Sequence, residues 1–158
     1  MRRLTRLHAS GRASDLGLPA DVAWARLTAA GSGRHWYVDA VPFVVRGAVD
    51  RAVGGEGRRW PAPDRTALEA GDRAGFWEVR VADPQERRLV LEAAVRAPGR
   101  VRLTSRVLPR VPDGCTLRQT VTVEPDGLLG SAYLLVDLPA RELVVELAHQ
   151  RTVTEVGR

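Results

Sequence analysis

Between Gly71-Asp72 and Glu124 the chain alternates apolar and polar side chains with a period of two, in four runs separated by turn residues. The runs are 75–82, 87–97, 100–108 and 115–124. Asp83-Pro84, Pro98-Gly99 and Val111-Pro112-Asp113-Gly114 stand between them. Connections this short join antiparallel neighbours, so the pattern predicts a four-stranded meander. Alternation sets its faces. Trp77, Val79 and Val81 share one, with Leu89, Leu91, Ala93 and Val95, with Val101, Leu103, Ser105 and Val107, and with Leu117, Gln119, Val121 and Val123. The other face carries Glu78, Arg80, Arg88, Glu92, Arg102, Thr104, Arg106, Arg118, Thr120, Thr122 and Glu124. A sheet that is apolar on one side only must be covered on that side.

The C-terminal segment supplies the cover. Leu128, Leu129, Ala132, Tyr133 and Val136 recur at helical spacing, and Ala140, Leu143, Val144, Leu147 and Ala148 continue the series beyond Pro139. Pro139 is expected either to kink one long helix or to begin a second. Two shorter helices precede the sheet. One spans about 19 to 30, opened by Pro19 and Asp21 and stopped by Gly31 and Gly33, with Trp24 as a core anchor. The next follows Pro42, with Val41, Val44, Val45, Ala48 and Ala52 on one face, and ends at Gly54-Gly55. The segment from Glu56 to Asp64, with Pro61 and Pro63, reads as a loop.

At 158 residues one core and one domain, 1–158, are expected. No run approaches the roughly 18 apolar residues of a membrane span. The N-terminal Met1-Arg2-Arg3 charge is not followed by the apolar stretch of a secretory signal, and Cys115 is the sole cysteine. Both features point to the cytoplasm. A net charge of +5 raises nucleic acid as a partner. All the basic residues counted are Arg, however, and Lys, Ile and Asn are missing altogether, as GC-rich coding produces. The arginines are interspersed with acids, and no nucleic-acid partner is expected.

Function must then be written on the inner face, which Ser105 and Gln119 interrupt. An unsatisfied buried amide costs about 1–3 kcal/mol. Gln119 therefore either bonds a backbone group, Tyr133 or a water, or lines a cavity and orients a ligand. Aromatic residues gather at Trp36-Tyr37, Trp60 and Phe76-Trp77, consistent with core packing or with a ligand mouth. The candidate ligand-binding set is Trp36, Tyr37, Trp77, Leu91, Leu103, Ser105, Gln119 and Tyr133. His8, His35 and His149 show no metal-site spacing. His35 with Asp39, or Arg46 with Asp50, are the acid–base pairs that an enzyme would use. No catalytic residue, metal or cofactor is assigned.

Several short runs, taken in order, resemble a known family. They are Arg46-Gly47, Asp50-Arg51, Val53-Gly54-Gly55-Glu56-Gly57, Gly71-Asp72, Phe76-Trp77-Glu78-Val79, Pro98-Gly99, Gln119-Thr120, Pro125-Asp126-Gly127-Leu128-Leu129-Gly130 and Tyr133. Together they resemble an uncharacterised bacterial family of the SRPBCC superfamily, the START-like, polyketide-cyclase-like helix-grip domains, over roughly residues 18 to 150. The resemblance implies an α+β helix-grip fold. An N-terminal strand and two short helices come first, and a curved antiparallel sheet then wraps around a long C-terminal helix over an apolar cavity. It further implies a small apolar or amphipathic ligand, with a cyclase or dehydratase acting on such a molecule as one alternative. A filled-core domain working through protein contacts, as a homodimer would, is the other alternative. Relatives often follow a nucleotide-binding Rossmann domain, so a separate Rossmann-type partner chain is an expectation too. Leu134, Ala140 and Arg102 depart from residues common in the family, so relatives' pocket chemistry is not carried over.

Overall fold

The period-two region forms the expected strands, and the N-terminus adds two more. The computed structural model describes the backbone of residues 2–6, 9–52, 54, 60–94, 99–125 and 127–158, with side chains described outside 2–6, 45–47, 49–50, 99, 125 and 127–140. The elements are β1 (Arg2–Arg6), β2 (Ala9–Leu16), α1 (Ala20–Leu27), α2 (Trp36–Asp39), α3 (Val41–Ala52), β3 (Arg73–Ala74), β4 (Trp77–Asp83), β5 (Arg88–Ala93), β6 (Gly99–Pro109), β7 (Cys115–Pro125) and α4 (Gly127–Val156). They build one seven-stranded sheet in the order β1-β2-β7-β6-β5-β4-β3. Every neighbouring pair is antiparallel. With α4 packed against β2 and β7, this is an α+β helix-grip fold.

β2 is the main addition to the reading from residue pattern. It pairs along its whole length with β7, from Ala9 opposite Thr122 to Leu16 opposite Cys115. Its inner positions are Ser10, Arg12, Ser14 and Leu16, so apolar periodicity could not reveal it. Only the family resemblance implied a strand there.

Two further expectations are corrected and one choice between alternatives is decided. Val81 does not share the face of Trp77 and Val79. Val79 pairs with Leu91 but Val81 with Val90, so a bulge at Arg80 inverts the alternation and turns Val81 outward. At Pro139 the alternative of one long helix holds, since α4 runs unbroken for 30 residues. α1 ends at Leu27, short of residue 30, because the backbone beyond it is captured by the chain that leads into the sheet. Leu68 N–H donates to Thr28 O, Ala30 N–H to Thr66 O and Gly31 N–H to Pro63 O. The described part of the Pro-rich loop is thus pinned, and Trp60 also bridges Gly75.

One core joins these layers. It includes Leu27, Trp36, Tyr37, Phe43, Trp77, Leu89, Leu91, Leu103, Leu117, Ala148 and Val156. Cys115 is buried within it, where desolvation pushes its thiol pKa up. The β6–β7 turn closes against β2 through Gly114, whose φ is +91 and whose Cβ, if present, would stand 2.5 Å from Leu16 O. Gly114→Ala combines a left-handed backbone with a clash on β2, and we expect it to cost at least about 2 kcal/mol. Urea denaturation measures this; a loss below 0.5 kcal/mol would show that β2 can shift to accommodate the methyl group.

Candidate functional site

The inner face divides into a closed end and a more open one. At the closed end a chain of buried polar side chains crosses from sheet to helix. Register brings Ser105 of β6 opposite Gln119 of β7, and Gln119 opposite Arg12 of β2. Gln119 Nε2 donates to Ser105 Oγ at 3.0 Å, while its Oε1 lies 2.9 Å from His149 Nδ1. That amide orientation sets the tautomer. His149 carries its proton on Nδ1 and donates to Gln119, which leaves Nε2 to accept from Ser14 Oγ at 2.9 Å. Ser105, Gln119 and His149 are each 1% exposed.

Beside this chain lies a buried ion cluster. Arg12, 3% exposed, reaches Glu146 at 2.7 Å and Glu142 at 2.9 Å. Burial works against its charge, but hydrogen bonds to Glu146 and Glu142 and their attraction outweigh that and raise its pKa. One turn earlier on α4, Arg141 Nε donates to Ser10 Oγ at 3.0 Å. The C-terminal half of α4 is therefore fastened to β2 and β7 by polar contacts, not by apolar packing alone. Residue pattern did not single out Ser10, Arg12, Ser14 or the pairing role of His149. One signal was present: Glu142, Glu146 and His149 fall at i, i+4 and i+7 on one helical stripe facing Arg12 and Gln119.

The predicted residues fall into three places. Trp36 and Tyr37 lie at the end of α1: Trp36 Nε1 donates to Leu27 O and Tyr37 Oη to Ala29 O, each at 2.9 Å. Glu155 of α4 accepts from the Trp36 backbone N–H at 3.0 Å. Burial pushes the Tyr37 hydroxyl pKa far up, so it stays protonated. Ser105 and Gln119 belong to the polar chain. Trp77 packs edge-on against Phe43, with ring centroids 5.2 Å apart, and against Phe76 at 4.6 Å. Its register neighbour is Ala93, and Leu91 and Leu103 pair beside it. The side chains of Tyr133, Arg46 and Asp50 lie outside the described residues.

Two features mark the Trp77 end. Trp77 is 3% exposed, yet among the described residues its indole N–H has no hydrogen-bond partner. Around it the inner face is less covered: Ala93, Val101, Val121 and Val123 are half-buried, whereas Val107, Leu103 and Leu117 are buried. His35 and Asp39, the pair an enzyme would use as acid and base, form a turn. Asp39 Oδ2 accepts from the backbone N–H of His35, and the His35 ring nitrogen Nε2 contacts Gly31 O at 3.0 Å. The carboxylate closes the first turn of α2 instead of orienting an imidazole. Among the described residues no group of His, Cys, Asp and Glu is placed to hold a metal, and no helix is long and apolar enough to cross a membrane.

A family model described as "Protein of unknown function (DUF2867)" matches residues 8–148, and the chain belongs to that family. No curated protein matches it. Among solved structures it is similar to a protein from Rhodobacter sphaeroides, at 17% identity and a TM-score of 0.52, over 98% of this chain and 95% of that one. An aromatase/cyclase, Zhui, from a Streptomyces species aligns at 15% identity and a TM-score of 0.49, over 94% and 92%. Truncated norcoclaurine synthase from Thalictrum flavum aligns at 10% and 0.48, over 98% and 95%. At these identities the likeness concerns the fold alone.

The polar chain makes stability depend on pH. An unfolded histidine takes up its proton near pH 6.5, whereas burial, opposed by Glu146 and aided by Arg12, lowers the His149 pKa to about 4. Its contribution is therefore complete above pH 6.5 and is lost as pH falls to about 4, a difference of about 3 kcal/mol. Comparing the pH dependence of stability with that of His149→Gln isolates this contribution; parallel curves would contradict it. Gln119→Leu strands His149 Nδ1–H and Ser105, and a loss of about 2 kcal/mol in urea denaturation is expected.

Proposed function

We propose that this member of the DUF2867 family binds a small apolar or amphipathic molecule between the inner face of its sheet and α4, entering at the Trp77 end. The observation that carries the reading is the pairing of a buried, unpartnered Trp77 indole N–H with half-buried apolar side chains at Ala93, Val101, Val121 and Val123. A buried donor without an acceptor is unfavourable by about 1–3 kcal/mol, and a ligand carbonyl, ether or hydroxyl oxygen would remove that penalty. Binding sites combine mainly apolar walls with a few placed polar groups, as Phe43, Leu91, Leu103 and Trp77 would provide.

In this reading the candidate residues have different tasks. Trp77 offers the hydrogen bond. Leu91 and Leu103 form the floor. Ser105 and Gln119 set the depth of the site through His149, since both ends of the Gln119 amide are already engaged. Trp36 and Tyr37 hold the wall formed by α2. A binding role is favoured over cyclase or dehydratase chemistry because the titratable groups that do converge are engaged with one another. His149 is held by Ser14 and Gln119, and Arg12 by Glu142 and Glu146.

Fluorescence titration with the neutral apolar probe N-phenyl-1-naphthylamine tests the site. Wild-type protein is expected to bind it, and Val121→Glu, which sets a charge at the entrance, to weaken binding at least tenfold while circular dichroism stays native. Equal binding by the variant would refute the location. Native mass spectrometry before and after denaturation, to detect a co-purified molecule, then identifies the natural occupant.

A further inference from the structure

The outer face of the sheet is as charged as alternation predicts, but its two halves differ in how the charge is balanced. Toward the β6–β7 strand ends at Arg100 and Glu124, bases and acids neutralise one another. Glu92 receives Arg80 and Arg102 at 2.8 Å each, Glu124 receives Arg102 at 2.8 Å, and Glu78 receives Arg80 at 2.6 Å. On the other half, register puts Arg88 of β5 opposite Arg106 of β6, and Arg106 opposite Arg118 of β7. Like charges directly opposite one another destabilise a sheet. Among the described residues two acids stand by this row: the exposed Glu86, 3.2 Å from Arg106, and Asp83, opposite Arg88 in register, whose Oδ1 accepts from the backbone N–H groups of Gln85 and Glu86. Among the described residues no acid pairs with Arg88 or Arg118, and the buried Nε atoms of Arg88 and Arg106 have no partner. A coding preference for arginine accounts for how many there are. It does not explain why the acids of one half form ion pairs across the strands while Arg88 and Arg118 on the other form none among the described residues.

Arg88 also lies at one end of an open groove of about 520 Å³ on this face, floored by Val81 and Val90 and otherwise lined by threonines and by the ion-paired Arg80, Glu92 and Arg102 of the neutralised half. Val81 is there because of the β4 bulge that turns it outward beside Val90. Thr104 lies opposite Thr120, so two hydroxyl-bearing residues sit in register next to the arginine row.

We propose that this outer face binds a small phosphorylated molecule, with its phosphoryl groups held by Arg88, Arg106 and Arg118 and its body lying in the groove over Val81 and Val90. The guanidinium fork suits phosphate oxygens bidentately. Three adjacent strands span about 10 Å, a width that suits one di- or triphosphate and is short for a nucleic-acid backbone, which engages many phosphates. Val81 and Val90, the apolar pair in an otherwise polar groove, favour an organic body over a wholly charged partner. This site lies on the face opposite the ligand site proposed above and does not depend on it.

The test is calorimetric titration with inorganic tripolyphosphate at 0.1 M salt, using the intact chain. Wild-type protein is expected to bind, and Arg106→Gln with Arg118→Gln to lose at least tenfold in affinity, while Arg65→Gln, outside the groove and the arginine row, changes it less than twofold. Removing opposed like charges should leave the double variant melting at or above wild type, so a loss of binding would not reflect unfolding. Absence of binding by wild type, or equal losses in both variants, would overturn the proposal. Tighter binding of hexaglutamate or of duplex DNA than of tripolyphosphate would overturn it as well.

Discussion

A one-sided sheet depends on whatever covers it, and here the cover is a single helix fastened by a buried polar seam. Arg12 between Glu142 and Glu146, and His149 between Ser14 and Gln119, join β2, β7 and the C-terminal half of α4. Apolar packing alone would let such a helix slide or rotate at small cost, because Leu and Val surfaces are interchangeable. The seam is less forgiving: Arg12, Gln119 and His149 are buried and their partners Ser14, Glu142 and Glu146 half-buried, so a shift of one turn would leave charges and amides unpaired. It therefore sets where α4 lies, and so the depth of the space left between helix and sheet.

The seam is polar because β2 is polar on its inner side. A strand reading Ser10, Arg12, Ser14 and Leu16 inward cannot bury itself by the hydrophobic effect. It is held by backbone pairing with β7 and by side chains from the helix. The same contacts close one end of the interior, and at the other end the half-buried Val101, Val121 and Val123 leave the inner face less covered. Closure and opening follow from one distribution of polar residues.

Much of this was legible in the sequence. The runs at 75–82, 87–97, 100–108 and 115–124 became β4 to β7 because strand periodicity survives wherever one face is buried. The turns at Asp83-Pro84 and Val111-Pro112-Asp113-Gly114 carried their own chemistry. Illegible were features that depend on pairing across the chain. The bulge that turns Val81 outward comes from register with Leu91 and Val90, and β2 is invisible to an apolar pattern. Gln119 announced itself as a polar residue on an apolar face, but its partner His149 lies 30 residues away on another element. The imbalance of the outer face was hidden for the same reason: Arg88, Arg106 and Arg118 look interspersed with acids until register sets them side by side.

The central claim is that the polar seam closes one end of the interior and leaves the other to a ligand. Hydrogen exchange with and without N-phenyl-1-naphthylamine measures this directly. Added protection should concentrate at residues 91–94, 101–103 and 121–123, with 145–156 unchanged because the seam already holds that part of α4. Protection that rises mainly at 145–156, or nowhere on the inner face, would contradict it.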